Sequence, residues 1–231
     1  MDDKKVPSHI GIIMDGNGRW ARLRGKKRSY GHRHGSENVQ RVTEHAYRQG
    51  VKCITLYAFS TENFSRPKEE VDTLMKLLSE YLNKLIGKAI KNKICLRIIG
   101  DITPLTADLK KTINECTLKT AMFKERILNV AINYGGKQEI VKAVKELVAE
   151  GKEISEESIE QKLYTYDNPP LDLIIRTGGD LRISNFMMYQ SAYAELYFTQ
   201  VLWPDFDEKE LDKALEDFAK RCRRYGQVIE E

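Results

Sequence analysis

Short apolar runs alternate with longer amphipathic stretches along this chain, and loops rich in glycine and polar residues follow the apolar runs. Those two observations predict an α/β fold with a central, mostly parallel six-stranded sheet flanked by helices. A third is size: 231 residues, 41% of them hydrophobic, suffice for one domain over residues 1–231 that buries roughly 70% of its unfolded surface. Cys53, Cys95, Cys116 and Cys222 show neither CxxC spacing nor a nearby histidine pair, so no zinc site or disulfide framework is expected. Residues 1–7 lack a hydrophobic signal core, and no run approaches the roughly 20 apolar residues of a bilayer span. The expectation is a soluble, cytoplasmic chain.

Taken in order, residues 9–14 read as a buried strand, and residues 35–49 as a helix with Val39, Val42 and Ala46 on one face, stopped by Gly50. Residues 53–59 give a second strand, which runs into a polar loop at 60–67. The next helix, from Pro67 to about Lys91, carries apolar residues over half its circumference at about 100° per residue, wider than a one-sided stripe. It is either wedged between two core elements or part of the wall of an apolar tunnel. A strand at 94–99 follows, then a turn at Gly100-Asp101 and a helix at 107–123 capped by Thr106. Residues 127–132 form a strand, 133–136 a glycine turn, and Ile140, Val141, Val144, Leu147 and Val148 mark a helix. A short helix is expected at 155–164, with strands at 171–176 and 194–198. Asp207 and Glu210 resemble a capping box for a last helix with Leu211, Ala214, Leu215, Phe218, Ala219 and Cys222 on its stripe.

Ligands of open parallel sheets sit beyond the carboxyl ends of the strands. Asp15, the 60–66 loop and residues 177–180 all follow strands, so they are expected on one rim. Met14-Asp15-Gly16-Asn17-Gly18-Arg19-Trp20-Ala21 reads either as an ordinary turn or as an anion site, with Asp15 holding Mg²⁺ against phosphate oxygens. Its spacing fits neither the Walker A nor the dinucleotide fingerprint. Arg176 closes a strand, and Gly178-Gly179 lets the backbone turn so that Arg182 and Ser184 face the same side. Two guanidiniums and a hydroxyl suit diphosphate oxygens.

Five segments together carry a resemblance: residues 9–21, 58–67, 132–136, 176–180, and 182–186 with 193–198 and Trp203-Pro204. In this order they resemble the motifs of the cis-prenyltransferases, over nearly the whole chain. The resemblance implies a homodimer with a parallel sheet and an elongated hydrophobic tunnel, adding isopentenyl diphosphate units to an allylic diphosphate such as farnesyl diphosphate with Mg²⁺. It makes Asp15 the essential carboxylate and Mg²⁺ ligand, and Glu195 a second metal-associated carboxylate. It makes Gly16, Asn17, Gly18 and Arg19 the cradle of the allylic diphosphate, with Trp20, Arg28 and His32 beside it. Ser60, Thr61, Glu62, Asn63, Phe64 and Arg66 match a loop closing over both substrates; Arg176, Arg182, Ile183 and Ser184 match the isopentenyl diphosphate clamp. The family assigns proton acceptance to Asn63, but a neutral amide is a poor base, so Asn63 is expected to position or relay while a diphosphate oxygen takes the proton. Phe64 stands where many relatives carry tryptophan, and Leu181 where some carry histidine. In the tunnel, Leu74, Leu77, Leu78 and Leu85 are the candidate wall.

Charge leaves rivals in view. The net charge is +4, yet Arg19, Arg22, Arg24, Lys26, Lys27, Arg28 and Arg33 stand together with no acidic residue among them. Such a cluster suits a nucleic-acid surface or a polyanionic small molecule. Trp20 and Tyr30 are its only aromatics, thin for base stacking, so the reading is a substrate-facing surface with no nucleic acid. A non-catalytic partner subunit of the same fold is the other rival, although this chain keeps Asp15 and the arginines. His9, His34 and His45 read as structural or exposed. Peripheral membrane contact for release of a lipid product is a further expectation.

Overall fold

The computed structural model describes residues 5–221. Six strands, β1 (His9–Ile13), β2 (Cys53–Ser60), β3 (Ile94–Ile99), β4 (Arg126–Tyr134), β5 (Leu173–Arg176) and β6 (Glu195–Phe198), form one sheet in the order β3-β4-β2-β1-β5-β6. Every pairing is parallel. The central strands are continuous apolar runs because both faces are covered, whereas β6, at the edge, is only half buried.

Alternate strand residues feed two cores. Ile10, Ile12, Ile54, Leu56, Leu128 and Val130 pack with α2 (Arg28–Arg48), α3 (Lys68–Lys91), α4 (Ala107–Thr120) and α7 (Glu208–Lys220). On the other face Ile13, Ala131, Tyr134 and Ile174 pack against Phe186, Met187 and Tyr164. The remaining helices are the short α1 (Asn17–Leu23), α5 (Gly136–Ala149) and α6 (Glu156–Glu160). Among the described residues no helix is long and apolar enough to cross a membrane.

Several boundaries differ from the sequence reading for local reasons. α2 begins at Arg28, well before residue 35, and takes in Gly31 and Gly35. These glycines let α1 lie against it: a Cβ at Gly31 would stand 2.0 Å from the Asn17 carbonyl oxygen, and one at Gly35 2.0 Å from Asn17 Oδ1. β4 continues through Asn133 and Tyr134, so the glycine turn starts later than expected. α4 stops at Thr120, whose hydroxyl takes the Leu96 N–H, and α6 is a single stretch of five residues behind its Ser155 cap. Asp207 accepts the Glu210 N–H at 3.0 Å, but the Glu210 carboxylate turns to Lys213, so only half of the expected capping box forms. Cys222 lies outside the described residues.

Candidate active site

The register of two interior strands builds the site. β5 pairs with β1 so that Arg176 stands opposite Ile13, two residues before Asp15. From there Arg176 Nη2 reaches Asp15 Oδ2 at 2.9 Å and Asp180 Oδ2 at 3.1 Å, while Nη1 donates to Ser184 Oγ at 2.7 Å and to the Arg182 carbonyl. Arg182 Nη2 closes the chain onto Asp180 at 2.8 Å. The turn that allows this runs through Gly178 and Gly179, with φ of 87° and 84°. A Cβ at Gly178 would come within 3.1 Å of the Asp15 backbone, and one at Gly179 within 2.3 Å of Gln200. Thr177 Oγ1 and the Trp203 N–H both donate to the Asp15 carbonyl, which fixes the strand end.

Opposite this cluster, β2 ends in a 3-10 turn, Thr61–Ser65, whose Asn63 Oδ1 accepts the Ser60 N–H at 3.1 Å. Arg66 leaves that turn and shares Glu70 with Arg28, at 3.0 and 3.5 Å. Ser184 and Asn185 form the facing wall, and they and the buried Met187 are left-handed, with φ of 48°, 62° and 43°. Non-glycine residues adopt this conformation at a cost of about 1–2 kcal/mol each, so packing must hold it.

A cavity of about 720 Å³ lies between these groups. Asp15, Gly16, Asn17, Gly18, Arg28 and His32 line one side of its polar end; Ser60, Glu62, Asn63 and Arg66 line another, and Arg176, Arg182 and Ser184 a third. The opposite end is apolar, walled by Val39, Leu56, Phe59, Val130 and, from α3, Leu74, Leu77, Leu78 and Tyr81. α3 is wedged into the core through Leu82, Leu85 and Ala89, and its adjacent face, with Leu74, Leu77, Leu78 and Tyr81, lines this cavity. Leu85 belongs to the core.

Other expected site residues stand elsewhere. Trp20 is buried, donates from Nε1 to Asp205 at 2.7 Å and carries the Arg24 guanidinium 3.9 Å from its ring, so it anchors α1 rather than facing the cavity. Arg19 lies 4.0 Å from Asp15 Oδ1 without reaching the cavity wall, and the Phe64 ring packs edge-on to Phe59. Thr61 and Ile183 are off the wall as well, Ile183 packing on the second core. Glu195 opens β6 opposite Leu173, three residues or roughly 10 Å of strand rise from the Arg176 end, and binds Arg221 at 2.7 Å. The structure does not bring it to Asp15. Sequence reasoning missed Tyr57, whose hydroxyl donates to the Tyr134 and Ser184 carbonyls, and Asn185, Asp180 and Glu70. Asp180 and Asn185 lay inside the segments 176–180 and 182–186, and Tyr57 and Glu70 close to 58–67, but a place in or near a motif does not tell a site residue from its neighbour.

Burial works to raise the Asp15 pKa, but hydrogen bonds from Arg176 and the Gly16 N–H and the charges of Arg176 and Arg19 outweigh it, leaving the carboxyl below its usual range. It is ionised at the cavity edge. Burial, then the Arg66 and Arg28 charges, push His32 down to about 4, so this imidazole is neutral at pH 7. Among the described residues, His32 Nε2, Asn17 Oδ1 and Arg176 Nε are buried without a partner. Arg176 Nε is a donor, and His32 Nε2 is one in its Nε2–H tautomer; such donors beside guanidiniums suit an anion, whereas Asn17 Oδ1 is an acceptor and its amide N–H₂ already donates to the Met14 carbonyl at 2.9 Å. Among the described residues there is no cluster of three metal-ligating side chains. One ionised carboxylate facing a phosphate-suited cavity still fits Mg²⁺, which is commonly held by one or two carboxylates with substrate phosphates and water.

The profile of the family described as "Putative undecaprenyl diphosphate synthase" matches residues 13–226. This chain belongs to that family. It is a prenyltransferase by this membership. It is 48% identical to the isoprenyl transferase of Fusobacterium nucleatum, over 98% of each chain. It is 46% identical to a ditrans,polycis-undecaprenyl-diphosphate synthase, (2E,6E)-farnesyl-diphosphate specific, of Pasteurella multocida, over 98% of this chain and 97% of that one. Its fold is similar to lavandulyl diphosphate synthase from Lavandula x intermedia, solved in complex with dimethylallyl diphosphate, with a TM-score of 0.92 and 33% identity over 96% of this chain and 99% of that one.

Proposed function

We propose that the cavity binds an allylic diphosphate, farnesyl diphosphate in the first round, beside isopentenyl diphosphate, and that the chain joins them repeatedly into a long cis-polyprenyl diphosphate. One observation carries this reading: a single cavity has arginines, an ionised Asp15 and the unpartnered ring and guanidinium nitrogens of His32 and Arg176 at one end and an aliphatic wall from α3 at the other. The diphosphate ends belong with the arginines and the growing hydrocarbon along Leu74, Leu77, Leu78 and Tyr81.

In each round the allylic C–O bond breaks and its electron pair leaves with diphosphate. The isopentenyl double bond then forms the new C–C bond, and a proton departs from the adjacent carbon to leave a cis double bond. Negative charge grows on the leaving diphosphate, so fixed donors around it stabilise the transition state more than the ground state. Arg28 and His32, whose Nε2 has no partner among the described residues, flank that position; Arg176, Arg182 and Ser184 hold the isopentenyl diphosphate. Asn63 spends its Oδ1 on the Ser60 N–H, which leaves its amide N–H₂ to orient substrate and makes a diphosphate oxygen the proton acceptor. Mg²⁺ at this site would be held by Asp15 with phosphate oxygens and water, and supplies Lewis-acid stabilisation of the departing diphosphate. Glu195 of the same chain has no part in that shell.

The chain is proposed to act as a homodimer in the cytoplasm. The half-buried edge strand β6, with its own Leu196 and the neighbouring Tyr193 on the surface, supports a partner there. Peripheral membrane contact for product release follows from the lipid nature of the product.

Incubation with farnesyl diphosphate, labelled isopentenyl diphosphate and Mg²⁺, with products resolved by chromatography, tests the reading. Elongation by wild type and its loss in Asp15→Ala are expected. No elongation, or undiminished elongation by Asp15→Ala, contradicts it.

A further inference from the structure

Asn185 stands between the two halves of the cavity, and every polar atom of its side chain is engaged across elements. Its Oδ1 accepts the Lys137 N–H at 2.9 Å; its Nδ2 donates to Glu62 Oε1 at 2.9 Å and to Gln138 Oε1 at 3.0 Å. Its carbonyl accepts the Gly136 N–H at 2.7 Å. The glycine pair before α5 makes room for it, since a Cβ at Gly135 would lie 2.6 Å from Asn185 Nδ2. On one side its chain neighbour Ser184 is bonded to Arg176. On the other, Glu62 belongs to the turn that carries Asn63.

We infer that Asn185 is a positioning residue that couples anion occupancy at Arg176 and Ser184 to the placement of the 61–65 turn. The inference rests on the two-substrate reading of the cavity and says how its halves communicate. Ser184, Asn185 and Met187 are all held in left-handed backbone conformations, which an unanchored segment leaves readily. An anion bonded to Arg176 and Ser184 restrains this segment. A restrained segment keeps Asn185 Nδ2 in line with Glu62, and a held Glu62 keeps the turn, with Asn63, over the cavity. The residue type follows from the geometry. One acceptor toward a backbone N–H and two donors toward carboxylate and amide oxygens are what an asparagine side chain offers. An aspartate there would set a second negative charge against Glu62.

The test needs no turnover. Phe64 lies in the turn and its ring is 39% exposed, so chymotrypsin cleavage after it reports the turn's opening. Inorganic diphosphate is the probe. In wild type it is expected to slow cleavage at Phe64 by about tenfold or more. Asn185→Gly, which suits the left-handed backbone while deleting the side-chain bonds, is expected to abolish the protection; Glu62→Ala should do the same, and Glu62→Gln, which keeps the Oε1 acceptor, should retain it. In turnover, kcat/KM losses of Asn185→Gly and Glu62→Ala should not multiply in the double variant, because both break one link. The inference is overturned by a wild type that diphosphate does not protect, by equal protection of wild type and Asn185→Gly, or by losses that multiply. A wild type that is protected through Asn185 yet elongates nothing supports the coupling and counts against the proposed chemistry alone.

Discussion

Arg176 is 4% exposed and sets one guanidinium against two carboxylates, a hydroxyl and a carbonyl. Only a planar fork with fixed donors meets that set, so Arg176→Lys is expected to lower kcat/KM by ~100-fold or more in the elongation assay while secondary structure is unchanged by circular dichroism. Asn63 separates two roles in the same way. Asn63→Asp keeps the Oδ1 that caps the turn but replaces the amide donor, so kcat should fall about tenfold to 100-fold with the turn intact, and a full-rate Asn63→Asp enzyme would remove the positioning role. At this scale the sequence showed which residue types carry charge near glycines. It did not show Trp20 turned toward Asp205, because that partner lies 185 positions away and no local pattern reports it.

The close approach of α1 to α2 depends on residues without side chains. Gly31→Ala is expected to destabilise the fold by about 1–3 kcal/mol in urea titration, since the backbone oxygen of Asn17 blocks the new methyl. Gly87→Ala is the contrasting case: this exposed α3 position has open space around its Cβ, and the substitution should stabilise by about 0.5–1 kcal/mol. On the inner side of α3, Leu78→Trp should shift products to shorter chains by filling the apolar end of the cavity, which chromatography of labelled products reads directly. α3 was legible as a helix from its periodicity, and its excess apolar surface signalled a second contact. The start of α2 was not legible, because Gly31 and Gly35 look like breakers until the neighbouring helix that requires them is present.

Over the whole molecule, acid sensitivity follows from a buried imidazole. His9 is 1% exposed, with Nε2 2.8 Å from Thr55 Oγ1 and Nδ1 2.9 Å from the Pro169 carbonyl, and burial pushes its pKa down from 6.5 to about 4. Between those two values the unfolded chain binds a proton that the native chain refuses, so stability is full above 6.5 and falls as pH drops toward 4, by roughly 3 kcal/mol. Urea midpoints measured from pH 7 to pH 4.5 should show this decline, to which His32, also depressed to about 4, adds its share, and His9→Gln should reduce it; an unchanged slope would assign the loss to other groups. Strand and helix order, the parallel sheet and the meeting of Asp15, the 60–66 loop and Arg176 on one rim were all readable from the chain. They follow from local hydrophobic period and from the rule that loops after parallel strands share an end. What the tertiary structure alone decided is which side chains on that rim face the cavity. Asn185 and Tyr57 were brought to it, while Trp20 and Glu195 were drawn away by Asp205 and Arg221. The physical reason is that a side chain's direction is set by strand register and by partners distant in sequence, neither of which leaves a local mark on the residue itself.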